Sequence, residues 1–402
     1  MKTPSILPRP HYLNKIIPYI NRGIIKILTG QRRVGKSYIL KLVEEEIRAT
    51  TPDANFVSIN LEDFAFSHIS DAETLHKEIT ERLAREKRNY IFIDEIQEVE
   101  GFDKVVRSLI LNERNDVYIT GSNSAMLSSE MASRLAGRSI EIRIHPLIYS
   151  EFLDFHSLED SDHSIELYLR YGGMPYLRNL PSTSTWHEYL VGISEALVYR
   201  DIVSRYSIRN NDFLKRLMLF LADNIGQLFT AKRIADYLKS QRIPSSVNTV
   251  LTYTNYICEA YLTNKVRRWD IEGKKYFEIG EKYYYEDLGI RNAIIGYRPM
   301  DIGGLLENAV YNKLLYDGYE VKIGMLSSGK EIDFIGEKNG ERCYVQVALN
   351  VNDPSTAKRE FGNLSEIPDN YKKIVVTLRD SSPNTLDGIS MISLRQFMLD
   401  RY

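Results

Sequence analysis

The sequence predicts an α/β protein: a parallel sheet covered by helices, then a helical stretch, a unit of three helices and a hairpin, and a second, smaller α/β unit. Three observations carry that expectation. Apolar strand-like runs alternate with amphipathic segments from about residue 24 to 145, the periodicity turns helical from about 150 to 205, and short strands with Gly-bearing turns return over the last hundred or so residues. At 402 residues the chain exceeds one core, since domains cluster near roughly 100–150 residues. Three domains are expected, over 1–205, 206–290 and 291–402.

In order, Ile24–Leu28, Asn55–Asn60, Tyr90–Ile93, Val117–Thr120 and Ile140–Ile144 read as strands, with Tyr38–Arg48, Ala72–Arg85 and Phe102–Asn112 as helices between them. Near-continuous apolar strands separated by helices belong to a parallel sheet buried on both faces. EFLDF, IELYLRYG and EYLVGISEALVYRDIV then repeat apolar residues at i, i+3 and i+4, which fits a helical lid or connector. FLKRLMLFLADNI, TAKRIADYLKSQ and SSVNTVLTYTNYICEA read as three helices, with Thr230 and Ser245 or Ser246 as N-caps for the second and third. Two Tyr- and Phe-rich strands flank the turn IEGKK, completing a winged-helix outline. A helix, LLENAVYNKLLYDG, and the strands YEVKI, KEIDFIGEK and CYVQVAL make the last unit.

Composition excludes several classes. With 52 basic and 54 acidic side chains the net charge is -2, so no global field draws the chain to nucleic acid or an anionic membrane, and any such binding needs a local patch. Cys258 and Cys343 stand far apart in no metal-binding spacing. The N-terminus lacks a signal-peptide pattern, and no apolar run approaches the roughly 20 residues of a membrane span. A cytoplasmic protein is expected, with no membrane partner.

Gly30-Gln31-Arg32-Arg33-Val34-Gly35-Lys36-Ser37 fits G-x-x-x-x-G-K-[ST], follows a strand and opens a helix. Glycines let backbone N–H groups approach a triphosphate, the helix N-terminus adds a favourable field, and Lys36 neutralises phosphate oxygens. The loop residues through Ser37, with Tyr38 beside them, are the expected ATP contacts. Ser37 would give its hydroxyl to Mg²⁺, with Asp94 as the second anchor at the end of Tyr90-Ile91-Phe92-Ile93, and Glu95 is the expected general base for the attacking water. A chance glycine turn and a solvated strand end would have to coincide, in the right order, to imitate this pair of motifs. After Val117–Thr120, Gly121-Ser122-Asn123-Ser124 offers a polar sensor for the γ-phosphate, with Asn123 the chosen candidate against a plain capping turn. In SRLAGRSIEI, Arg134 and Arg138 are candidate fingers, Arg138 foremost, acting within the chain or from a neighbouring copy; surface ion pairs are the competing role. Arg32 and Arg33 are similarly open.

GQRRVGKS, YIFIDEIQ, ITGSNS, LAGRSIEI followed by HPLIYSEF, and YGGMP at Tyr171–Pro175 together resemble a widespread prokaryotic family of AAA-type P-loop ATPases. In that family the P-loop domain precedes a winged helix and a C-terminal domain similar to the PD-(D/E)XK, restriction-endonuclease-like nucleases. The resemblance spans essentially the whole chain and implies ATP binding and hydrolysis, with a role guessed to involve DNA or mobile-element defence.

For DNA, Asn248, Thr249, Thr252 and Asn255 would meet a groove, and Lys265, Arg267, Arg268, Lys274 and Lys275 the phosphates of a duplex. Tyr253, Tyr256 and Ile257 suit packing instead, so a protein partner or an intramolecular dock stays open, as does oligomerisation. In the last unit Glu307 and Asp333 match two nuclease positions, but Gln346 and Ala348 stand where a Glu and a Lys are needed, which argues against cutting. ATP hydrolysis driving a conformational switch, an ATP-sensing scaffold with little turnover, and an ATP-gated nuclease are the functions to be separated.

Overall fold

The computed structural model describes residues 7–124, 135, 137–351, 354–379, 385–386 and 388–401, apart from the side chains of 278, 279 and 354–358. The strands β1 (Ile25–Thr29), β2 (Asn55–Asn60), β3 (Asn89–Asp94), β4 (Asn115–Gly121) and β5 (Ser139–Arg143) form one sheet in the order β2-β3-β4-β1-β5, with every pair parallel. All residues of β1, β3 and β4 are buried, which is why their sequences run apolar instead of alternating. The helices are α1 (Pro10–Ile16), α2 (Lys36–Thr50), α3 (Ala72–Arg82) and α4 (Phe102–Leu109). Along α4, Phe102, Val105, Val106 and Leu109 recur at helical spacing and join Ile91, Ile93, Val117 and Ile119 in the core. Asp71 caps α3 through the Thr74 backbone N–H, and the Thr74 hydroxyl returns a bond to the cap. No amphipathic period announces α1, which is only seven residues long with Pro at its first turn.

Because the strands are parallel, the carboxyl ends of β3, β4 and β1 lie side by side, and the loops leaving them carry Asp94–Glu95, Gly121–Asn123 and Gly30–Gly35. That edge is where an open parallel sheet holds its ligand.

The chain divides into two compact units, Met1–His145 with Glu259–Tyr261, and Pro146–Cys258 with Leu262–Tyr402. The expected divisions at 205 and 290 are not where the packing separates. Helices Asp162–Tyr171 and Thr183–Ala196, expected as a lid on the first domain, pack on helix Leu288–Ile295 within the second unit. Strand β6 (Thr263–Asp270) pairs antiparallel with β7 (Lys275–Tyr285) and parallel with β8 (Glu320–Met325). The hairpin therefore shares an eight-stranded sheet with β9 (Glu331–Lys338), β10 (Glu341–Ala348), β11 (Lys372–Thr377), β12 (Thr385–Leu386) and β13 (Ile389–Ser393). Backbone pairing between β6 and β8 is long-range in sequence, so no local pattern could report it.

Helices Asn211–Asp223, Ala231–Ser240 and Val247–Glu259 precede that hairpin, as the sequence suggests. On the third, Asn248, Thr252 and Asn255 are exposed, while Tyr256 stacks on Tyr206 at 3.8 Å and Tyr253 meets Phe213 edge-on at 5.0 Å. The two glycines of YGGMP are steric necessities. A Cβ on Gly172, at φ +70°, would stand 2.4 Å from an oxygen of Asp287, and one on Gly173 would stand 2.0 Å from the Leu147 carbonyl oxygen.

Candidate functional site

The loop after β1 is shaped by backbone conformations that few residues tolerate. Gly30 has φ +140°, and a Cβ there would lie 2.2 Å from the Ile144 carbonyl oxygen. Arg33 and Gly35 also take positive φ, at +71° and +99°. Left-handed positions in close succession turn backbone N–H groups toward a common centre, the arrangement that cradles an anion. On the outer side of the loop, buried Arg9 donates to the Val34 carbonyl at 3.1 Å and to the His145 carbonyl at 3.0 Å. An Arg ahead of a Pro-led helix carries no sequence signal for that task, so Arg9 emerges only from the fold.

Helix α2 opens on Lys36, whose ammonium donates to the carbonyl oxygens of Gly30 at 3.1 Å and Gln31 at 3.2 Å and lies 3.8 Å from a Glu95 oxygen. Ser37 hydrogen-bonds Asp94 across to β3. Tyr38 is exposed at the start of α2, with the Lys41 ammonium 5.5 Å from its ring centre, and Arg32 pairs with Glu62 at 2.8 Å. Gln31 is wholly buried, yet neither atom of its side-chain amide has a partner. A buried orphan of that kind costs about 1–3 kcal/mol, which a polar ligand in the loop offsets.

Glu95 sits at φ +56°, left-handed for a non-glycine residue, a strain that clusters at functional positions. Thr120, at the end of β4 and wholly buried, holds the turn. Its hydroxyl accepts the Glu95 backbone N–H at 2.9 Å and donates to the Asp94 carboxylate. Gln97 donates to the Glu95 carboxylate at 2.5 Å and to the Ser122 hydroxyl at 3.3 Å. The segments YIFIDEIQ and VYIT contain Gln97 and Thr120, but nothing local in sequence joins them to the carboxylates. Asn123 is wholly buried at the same edge of the sheet.

Burial pushes both carboxyl groups toward the neutral form. For Asp94 it prevails, and the pKa rises despite the bonds from Ser37 and Thr120. For Glu95 burial is outweighed by the Lys36 charge, the Gln97 bond and the Arg32 charge, and the pKa falls below the ordinary carboxylate value. Glu95 is thus the more readily ionised member of the pair. A glycine without room for a Cβ, an ammonium among loop carbonyls, a hydroxyl bonded to a carboxylate and an orphaned amide together fit a nucleotide triphosphate with Mg²⁺.

Arg138 is not brought to this edge within its own chain. Its carbonyl accepts from Ile25 N–H at 2.9 Å, at the start of β1, and its side chain is exposed. The loop begins at the opposite end of the strand, about 13 Å further on at ~3.3 Å per residue. Because β5 runs parallel to β1, the Arg138 backbone starts at the edge of the sheet opposite the loop. Arg134 lies outside the described residues.

In the second unit Glu307 and Asp333 do come together, but around the ammonium of Lys282, which lies 2.9 Å from Glu307, 2.6 Å from Glu331 and 3.8 Å from Asp333. Gln346 accepts from the Asp333 backbone at 3.4 Å.

A family model described as an AAA domain matches residues 22–153, and a second, described as a domain of unknown function, matches 162–301. An uncharacterized protein of Haemophilus influenzae is 36% identical over 98% of this chain and 99% of its own length. An uncharacterized protein of Methanocaldococcus jannaschii, MJ1544, is 30% identical over 84% of this chain and 76% of its own. Among solved structures, the Walker-type ATPase paby2304 of Pyrococcus abyssi superposes with a TM-score of 0.48 at 14% identity, covering 70% of this chain and 93% of that one. Among the described residues no helix is long and apolar enough to cross a membrane.

Proposed function

We propose that this chain, which belongs to the family of AAA-domain P-loop proteins that includes the Haemophilus influenzae relative, binds ATP with Mg²⁺ and hydrolyses it to drive a conformational switch. The observation that carries hydrolysis is Glu95: an ionised carboxylate in a left-handed turn, steered by Gln97 and 3.8 Å from the Lys36 ammonium. Such a group orients and deprotonates a water, whereas a site that only held nucleotide would have no need of it. The loop amides and Lys36 hold phosphate oxygens, and Ser37 with Asp94 holds the metal. Mg²⁺ held there would supply neutralisation of phosphate charge. Asn123 and Ser122 serve as the polar sensor at the end of β4. Arg138 serves as a finger only toward the site of a neighbouring copy, which makes oligomerisation part of the proposal.

Duplex DNA is the proposed effector, through a winged helix made by Val247–Glu259 and the β6–β7 hairpin. The exposure of Asn248, Thr252 and Asn255 on the helix, and of Arg267, Lys274 and Lys275 on the hairpin, supports it. The test is phosphate release with Mg-ATP, with and without double-stranded DNA, for the native protein and Glu95→Gln. Turnover that rises with DNA and drops about 10²–10⁴-fold in the variant, while ATP still binds, is the expected result. Normal turnover by Glu95→Gln removes the general base from the proposal. Turnover indifferent to DNA transfers the effector role to a protein, and no turnover in the native protein leaves an ATP-sensing scaffold.

A further inference from the structure

The second unit contains a charge cluster that ATP hydrolysis does not use. Lys282, on β7, is 4% exposed, and its ammonium is the point on which Glu307 of helix Ile302–Tyr316 and Glu331 and Asp333 of β9 converge. Tyr284, two residues along β7, donates its hydroxyl to Glu307 at 2.5 Å. Gly226 leaves room for the same carboxylate, since a Cβ there would lie 2.9 Å from the second Glu307 oxygen. Asp333 is tied on its other side to the Val347 backbone N–H at 2.8 Å.

Three carboxylates around one ammonium leave an excess of negative charge in a buried place, which is costly unless it is neutralised. The site responds at both ends. Burial, then the Glu307 charge, pushes the Asp333 carboxyl well above its ordinary value. Burial draws the Lys282 ammonium down, but Glu307, Asp333 and Glu331 more than reverse that, so it stays charged. One ammonium faces three carboxylates at 2.6, 2.9 and 3.8 Å, so it is the single positive charge at the point where they converge.

We propose that Lys282 is a tethered cation: its ammonium fills, in place of a divalent metal, the point where Glu307, Glu331 and Asp333 meet, and removing it converts the cluster into a Ca²⁺-type site. The Glu331 and Glu307 contacts of 2.6 and 2.9 Å need only a small contraction, and the 3.8 Å contact of Asp333 a closure of about 1 Å or more, to reach the ~2.3–2.6 Å of Ca²⁺–oxygen bonds, whose geometry is permissive. Among the described residues no group of three His, Cys, Asp or Glu is set to hold a metal as the chain stands. The role of Lys282 accounts for that: the carboxylates are spaced for an ammonium.

The experiment is a Tb³⁺ titration of Lys282→Met, followed by luminescence sensitised through Tyr284, with the native protein and Lys282→Met/Asp333→Asn alongside. Lys282→Met should show a saturable signal, displaced by Ca²⁺, that is tighter than any native signal by roughly tenfold or more, the worth of one charge-assisted contact. The added Asp333→Asn change should remove the gain. Tb³⁺ binding by Lys282→Met no tighter than native overturns the proposal. If Lys282→Met does not fold alone, excess Ca²⁺ should restore its circular dichroism and thermal transition. Failure of that rescue overturns the proposal equally.

Discussion

Replacing Thr120 with Val keeps the shape of the β4 terminus and deletes one hydroxyl that makes two bonds. The Glu95 N–H loses its acceptor at 2.9 Å, and the Asp94 carboxylate loses a donor. Thr120 is wholly buried, so water cannot replace either partner. An orphaned backbone N–H costs about 1–3 kcal/mol and a bond to a charged group about 1.5–3 kcal/mol. Allowing Asp94 to relax by taking up a proton, the loss should be about 3 kcal/mol. In a unit of this size that lowers the melting temperature by roughly 6–12 °C. Turnover should fall further than stability implies, because the left-handed turn that aims Glu95 is no longer pinned, and a displacement of ~1 Å at a reacting group can cost about 10²-fold. Thermal unfolding and phosphate release on native, Thr120→Val and Thr120→Ser proteins measure both effects, and the Ser variant, which retains the hydroxyl, should recover most of each. A Val variant within ~0.5 kcal/mol of native, or a Ser variant as impaired as Val, would refute the bridging role.

Two further outcomes follow from the geometry. If Arg138 works across a subunit boundary, Arg138→Ala and Glu95→Gln should each be nearly inactive alone, and mixing them should restore turnover; a fully active Arg138→Ala removes the arginine from catalysis. Burial, partly opposed by backbone bonds from Gly173, Ile290 and Gly289, pushes the Asp287 carboxyl up to about 6 from 3.8. The folded state therefore holds that proton more tightly than the unfolded chain, and its contribution, roughly 2–3 kcal/mol, is full below pH 3.8 and lost as pH rises through about 6. Relative to Asp287→Asn, the native protein should gain stability between pH 7 and 4, as denaturant unfolding at the two pH values will measure. A stability difference that does not change with pH contradicts the buried carboxyl.

The sequence by itself determined the parallel sheet and the phosphate loop. Short continuous apolar runs, four to seven residues long and alternating with amphipathic helical segments, fit strands buried on both faces, and the spacing of Gly30, Gly35, Lys36 and Ser37 records a backbone shape that is local to eight residues. Asp94 and Glu95 were legible for the same reason, as the polar end of an apolar strand. Tertiary structure alone decided what holds those groups. Thr120 reaches Asp94 and Glu95 because β3 and β4 are neighbours, Arg9 reaches Val34 across 25 residues, and Arg138 falls at the far edge because β5 runs parallel to β1. In the second unit Glu307 and Asp333 stood out in the sequence, but the cation between them comes from Lys282 on a hairpin that the sequence assigned to another domain. Local patterns encode turns, caps and buried faces within a few residues. Strand order and the meeting of charges across a sheet depend on which distant segments pair, and that is written only in the fold.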